Sequence, residues 1–136
     1  MTKDKLEKLF EYWLAGAKED LESSKDVAYK AKRLSHALFF IHLSTEKILK
    51  AYYVKVKNEH APYSHNLLLL ANKADLVLLG PQQELLSKVN EFNLEARYPE
   101  NVEAWKEQIT EEFCTKYIED VEEFHQWILT KLKSMP

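Results

Sequence analysis

The chain has 136 residues, of which 46% are hydrophobic and 12% aromatic, so it is long enough to bury a core and too apolar for a disordered segment. Its single cysteine excludes a disulfide within the chain and a cysteine-rich zinc site. With a net charge of −3 and no apolar run of membrane-spanning length, we expect one domain over residues 1–136, without a signal peptide or membrane anchor, in the cytoplasm.

The first predicted element is a long helix over residues 4–29. Its apolar residues recur every three or four positions, the spacing that places them on one face of a helix. We expect this face to be part of the core. The residues concerned are Leu6, Leu9, Phe10, Trp13, Leu14, Ala17 and Leu21.

The second predicted helix covers residues 33–57 and is apolar on most of its surface, so we expect it to be the central and most buried element. A charged seam crosses it, because His42, Glu46 and Lys50 follow each other at intervals of four and share one face. Lys47 lies beside this seam. Polar groups on a buried helix cost free energy unless they are paired or used, so the seam predicts either a structural ion pair or a binding surface.

Two shorter helices are predicted after the second one. Ser64 is placed to cap a third helix over residues 64–75, because its hydroxyl can accept a free backbone N–H. The Gly80-Pro81 break then precedes a fourth helix that ends near Asn93.

The last part of the chain is predicted to contain one loop and one helix. Residues 94–109 are expected to be irregular, and Thr110 is expected to cap a fifth helix that runs to about residue 132. Only two glycines and four prolines interrupt the chain, which favours long helices over a sheet with many turns. The predicted fold class is all-α, an up-and-down helical bundle of four to five helices.

Charge is distributed unevenly along the chain. Residues 25–57, the basic segment, hold eight lysines and arginines against two acids, whereas residues 100–123, the acidic segment, hold nine acids against two lysines. Such segments attract each other across a bundle or steer a charged partner. Both interpretations are open from the sequence.

Metal and catalytic sites have little support in the residue pattern. A ferritin-like dimetal site needs two Glu-x-x-His motifs, and Glu122–His125 is the only one in the sequence. We therefore expect no metal site, no catalytic residue and no cofactor. His42 and Glu46 have the spacing of a base and its orienting carboxylate, but a local pair along a helix has the same spacing and is favoured.

Three segments of the chain share a pattern: HLSTEKILKAYYV (42–54), SHNLLLL (64–70) and NEFNLEARYP (90–99). In this order, around a mostly apolar second helix, they resemble the HEPN domain, the "higher eukaryotes and prokaryotes nucleotide-binding" family. The resemblance covers about residues 10–132, nearly the whole chain. Residues of the first helix also resemble the family's opening pattern, namely Trp13, Ala17, Asp20 and Leu21.

The resemblance implies a small helical bundle, commonly a homodimer, often paired with a separately encoded minimal nucleotidyltransferase in toxin–antitoxin systems. Some family members are metal-independent RNases that carry Arg-x4–6-His, and others are non-catalytic binding modules. The RNase spacing is absent here, because two residues separate Arg33 from His36 and eight separate it from His42. No histidine follows Arg97 before His125.

The set that does match is that of the non-catalytic branch, and the resemblance assigns ligand binding to it: Glu46, Lys47, Lys50, His65, Arg97 and Tyr98. Two roles are open for this set. In the structural role, Glu46 pairs with Lys50 or Arg97 and fastens the long loop to the bundle. In the binding role, Lys47, Lys50 and Arg97 bind a phosphate in a cleft between the second helix and residues 94–109.

Three functions follow, in order of preference. The first is a non-catalytic HEPN module that binds a minimal nucleotidyltransferase and a nucleotide, RNA or other phosphate ligand. The second is a purely structural homodimer or scaffold, in which the acidic segment of one subunit meets the basic segment of another. The third is a divergent metal-independent RNase toxin that uses Arg33 with His36 or His42 and draws on the basic segment to bind phosphates.

Overall fold

The computed structural model describes residues 1–95 and 101–136, and within these ranges the chain forms six α-helices and no strand. The all-α class is confirmed, although six helices replace the predicted four to five. None of the helices in these ranges is both long and apolar enough to cross a bilayer. The helices are α1 (Lys3–Tyr29), α2 (Leu34–Lys57), α3 (Leu67–Lys73), α4 (Gly80–Glu95), α5 (Val102–Gln108) and α6 (Glu111–Lys133).

The helices α1 and α2 run antiparallel along each other. Trp13 of α1 lies against Lys50 of α2, and further along α1 the carbonyl of Ala17 accepts a hydrogen bond from Ser44. As α1 proceeds from Trp13 to Ala17, the residue it contacts on α2 changes from Lys50 to Ser44, which is nearer the start of α2. A short basic turn joins the two helices, as expected for antiparallel neighbours.

The helix α6 lies beside both of them, parallel to α2. Its first turns contact the start of α2, where the thiol of Cys114 faces the carbonyl oxygen of Leu34 at 3.7 Å. Further along, the ring of His125 contacts Ser44 in the middle of α2. Among the three long helices, α1 thus runs antiparallel to both α2 and α6, which are parallel to each other.

The helix α2 is the central element, as predicted. Fourteen of its 24 residues are buried, and each large apolar side chain buried there contributes roughly 1.5–3 kcal/mol to the stability of the fold. Some of these fourteen buried residues are polar or charged, and the candidate site is built around them. The fully buried apolar side chains of α2 include Leu38, Ile41, Ile48 and Leu49.

The third helix begins later than the sequence suggested, so the prediction of Ser64 as its N-cap was wrong. The cap is Asn66, whose side-chain oxygen accepts the backbone N–H of Leu69 at 3.3 Å and a hydrogen bond from the Asn90 amide at 3.0 Å. The Ser64 hydroxyl instead accepts the backbone N–H of Asn66, outside the helix. A cap that is held from a second helix is favoured over an isolated one.

Replacing Asn66 by alanine is expected to lower the free energy of unfolding by about 1 kcal/mol, the usual cost of a lost N-cap. The loss should show as a lower midpoint in urea denaturation followed by circular dichroism. Ser64→Ala is the matched control and should cost only a few tenths of a kcal/mol, because Ser64 caps no helix N–H. Equal effects of the two variants would contradict the assignment of the cap.

The stretch predicted as irregular, residues 94–109, contains the short helix α5. Asn101 caps it by accepting the backbone N–H of Ala104 at 3.1 Å, and Trp105 on this helix is buried. A helix of seven residues is too short to show a repeating apolar pattern, so the sequence did not reveal it. The prediction of Thr110 as the cap of the next helix is confirmed, since its hydroxyl accepts the N–H of Phe113 at 3.0 Å.

Candidate functional site

A buried carboxylate, that of Glu46 in the middle of α2, is the centre of the candidate site. The residue is only 4% exposed. One carboxylate oxygen accepts a hydrogen bond from His65 Nδ1 at 2.8 Å, and the other accepts one from Lys50 Nζ at 3.1 Å. A buried charge is tolerated when it is paired and hydrogen-bonded in this way. The predicted pairing of Glu46 with Lys50 is confirmed, and His65 adds a contact from the loop between α2 and α3.

His42 ties the same loop to α2 from the previous turn of the helix. Its Nε2 lies 2.9 Å from the carbonyl oxygen of His65, and since a carbonyl can only accept, Nε2 carries the hydrogen and donates it. The imidazole Nδ1 lies 4.0 Å from the Glu46 carboxylate. The backbone and the side chain of His65 are thus both held by α2.

Lys50 is enclosed by the bundle and not free to reach solvent. Its side chain is 7% exposed, and its ammonium group lies 5.0 Å from the ring centroid of Trp13 on α1, within the range of a cation–π contact. The ion pair of Glu46 and Lys50 on α2 is therefore linked to α1 through the contact of Lys50 with the Trp13 ring.

Lys47 faces α1 and is paired there. Its ammonium lies 2.8 Å from the carboxylate of Asp20, and the two side chains are 26% and 13% exposed. The stem of Lys47 crosses α1 at Gly16, where an added Cβ would come within 3.0 Å of the lysine Cδ. Glycine at this position gives the lysine room to reach Asp20 along the helix surface.

The structure describes four of the six predicted site residues. The structure brings Glu46, Lys50 and His65 together in one cluster and places Lys47 beside it in a pair of its own. Arg97 and Tyr98 lie outside the described residues. The predicted fastening of the 94–109 segment by Glu46 and Arg97 therefore also lies outside the described residues, and the contact of Glu46 with His65 holds a different loop, the one between α2 and α3.

Of the two histidines of the alternative RNase site, His42 lies apart from Arg33 in the structure. Arg33 and His36 are exposed at the start of α2, whereas His42 is fully buried and hydrogen-bonded to the loop. A general base must reach its proton at hydrogen-bond distance, and His42 is enclosed in the fold.

The oppositely charged segments contact each other within one chain. Lys25 pairs with Glu122 at 3.0 Å and Lys32 with Glu111 at 2.8 Å, joining the end of α1 and the following turn to α6. The hydrogen bond from Lys25 to Glu122 also raises the pKa of Lys25. Attraction across the bundle, one of the two interpretations of the charge pattern, accounts for these two pairs.

One buried polar contact was missed in the sequence. His125 on α6 is 5% exposed, and its Nε2 lies 3.0 Å from the hydroxyl of Ser44 in the middle of α2. Burial lowers the pKa of His125 to about 4, so the ring is neutral at pH 7. The only signal in the sequence is a histidine within the apolar stripe of α6, where the Glu-x-x-His spacing pointed to a metal ligand and not to a buried hydrogen bond.

A family model for the HEPN domain matches residues 10–132, nearly the whole chain. The match includes the helices that hold the cluster of Glu46, Lys50 and His65, and it agrees with the resemblance seen in the sequence. No curated protein and no solved structure matches the chain.

Proposed function

The chain belongs to the HEPN domain family, and from this premise we propose that it is a non-catalytic HEPN module that binds a separately encoded minimal nucleotidyltransferase. The observation that carries the proposal is the use of the buried polar groups on α2 within the fold. Glu46, Lys50 and His42 hold a loop and a neighbouring helix, so they have a structural role that needs no substrate. The missing Arg-x4–6-His spacing supports the same conclusion.

The phosphate ligand remains part of the proposal in a narrower form. Lys50 is buried and paired, whereas Lys47 is more exposed and keeps its stem at the surface of α1 and α2. A phosphate near this face would therefore depend on Lys47. The structural homodimer has less support, because two pairs between the basic and acidic segments form within one chain.

Co-expression of the tagged chain with a minimal nucleotidyltransferase from the same genome tests the proposal. We expect the two proteins to elute together from gel filtration as a complex of fixed stoichiometry. A nucleotidyltransferase from an unrelated genome serves as the control and should elute alone. Separate elution of the cognate pair would contradict the partner assignment.

Incubation of the purified chain with single-stranded RNA tests the non-catalytic assignment. We expect no cleavage by the wild type, because the Arg-x4–6-His spacing of the family's RNases is absent and His42 is enclosed in the fold. Cleavage that is lost in His36→Ala would overturn this assignment in favour of the RNase.

Calorimetric titration with ATP, GTP and short RNA, repeated on Lys47→Ala, measures the affinity for a phosphate ligand separately.

A further inference from the structure

A groove between α1 and α6 is the feature that the proposed function leaves unused. It has a volume of about 490 Å³, which falls within the usual range of small-molecule sites, roughly 300–1,000 Å³. Its apolar walls come from both helices and from one residue of α2 beneath them. The apolar lining consists of Leu14, Ala15, Leu21, Ile48 and Leu129.

The ring of His125 lines this groove and is held in a single tautomer. The Ser44 hydroxyl donates its hydrogen to the carbonyl oxygen of Ala17 at 2.7 Å, so toward His125 it can only accept. Nε2 of His125 must then carry the hydrogen that it donates to Ser44 at 3.0 Å. In the neutral ring the other nitrogen, Nδ1, is left with a lone pair and acts as a hydrogen-bond acceptor.

Nδ1 of His125 is not fully enclosed by the fold. It makes no hydrogen bond to any described residue, and it is not among the fully enclosed polar atoms that lack a partner. The small exposed part of the residue therefore includes this nitrogen, and the groove is the space that the ring lines. His125 thus brings a hydrogen-bond acceptor to a groove that has apolar walls and charged side chains at its rim.

The charges at the rim do not favour an anion. Lys25 bridges Glu22 and Glu122 at 3.4 and 3.0 Å, and Glu11 and Lys18 lie on the α1 side with opposite charges. The carboxylates outnumber the ammonium groups by three to two, so the rim slightly disfavours a phosphate or carboxylate ligand. An uncharged ligand avoids this cost, and it also avoids the desolvation cost that a cation would meet between the apolar walls.

We propose that this groove binds an uncharged small molecule with an apolar ring and one hydrogen-bond donor, and that the donor reaches His125 Nδ1. The walls supply apolar contact, and the acceptor orients the ligand and selects for the donor. In this proposal the Glu122-x-x-His125 motif binds no metal. Glu122 stays paired with Lys25 at the rim, and His125 accepts a hydrogen bond from the ligand.

A matched pair of probes tests the proposal, indole with an N–H donor and N-methylindole without one. Binding to the ¹⁵N-labelled chain is followed by NMR, including the correlation spectrum of the histidine ring nitrogens. We expect saturable binding of indole with a shift of the His125 Nδ1 signal, and about fivefold to tenfold weaker binding of N-methylindole, the value of one neutral hydrogen bond. Equal affinity of the two probes, or no saturable binding of indole, would overturn the proposal.

Two substitutions locate the site without touching the buried core. Ala15 is exposed and lines the groove, so Ala15→Trp should fill the space and abolish indole binding. Glu19→Trp places the same ring at an exposed position of α1 outside the groove and should leave the affinity unchanged. Unaltered binding to Ala15→Trp would contradict the location.

A third substitution, Ser44→Ala, tests whether Ser44 fixes the tautomer of His125. Without the Ser44 hydroxyl either ring nitrogen can carry the hydrogen, so the preference for indole over N-methylindole should be smaller.

Discussion

Replacing Glu46 by glutamine is expected to lower the free energy of unfolding by about 3 kcal/mol, because removing one partner of a buried ion pair leaves the other charge uncompensated. The ammonium of Lys50 would remain in its enclosed position against Trp13 without a carboxylate. The hydrogen bond from His65 would also lose its charged acceptor. Urea denaturation of the purified variant measures the loss.

Two further variants make this prediction specific. Glu22→Gln removes an acid of the same kind from an exposed pair with Lys25 and should cost less than about 1 kcal/mol. The double variant Glu46→Leu with Lys50→Met should recover much of the stability, since apolar replacement of a complete buried pair is often neutral. A double variant as unstable as Glu46→Gln would show that contacts other than charge compensation dominate.

Protonation of His125 is expected to destabilise the fold by about 3 kcal/mol between pH 6.5 and pH 4, on top of the effects of other groups. Burial lowers the pKa of His125 from 6.5 to about 4 in the folded chain. Between these two values the unfolded state binds the proton and the folded state does not, so stability falls as the pH falls. Above pH 6.5 the residue is neutral in both states and contributes no pH dependence.

The pH profile of unfolding in His125→Gln checks this prediction. The variant lacks the titrating group, so its free energy of unfolding should decline less steeply between about pH 6.5 and pH 4 than that of the wild type. His60→Gln is the control, because His60 is exposed, and its profile should follow the wild type. Parallel profiles of His125→Gln and the wild type would refute a buried neutral imidazole.

The sequence predicted the long helices well because each carries a repeated apolar stripe. It also predicted the contact between Glu46 and Lys50, since residues four apart on one helix must be neighbours. It could not identify His65 as the second partner of Glu46, because that contact depends on the path of the loop after α2.

The remaining differences have the same origin in tertiary structure. Ser64 and Asn66 are both good caps, and the choice between them is made by Asn90 on another helix. Ser44 is one small polar residue within an apolar run, and only the packing of α1 and α6 against it explains its place. The sequence pattern determines the class and the order of the helices, whereas the polar partners are set by contacts between them.

Three residues within about one turn of α2 contact three different parts of the protein through polar groups. Ser44 contacts the α1 backbone and α6, Glu46 contacts the loop before α3, and Lys47 contacts Asp20 on α1. Sliding α2 by one turn, about 5.4 Å, would separate all of these at once, although its apolar side chains would still find apolar neighbours. The polar groups therefore select one axial register for a helix whose hydrophobic surface alone would accept several.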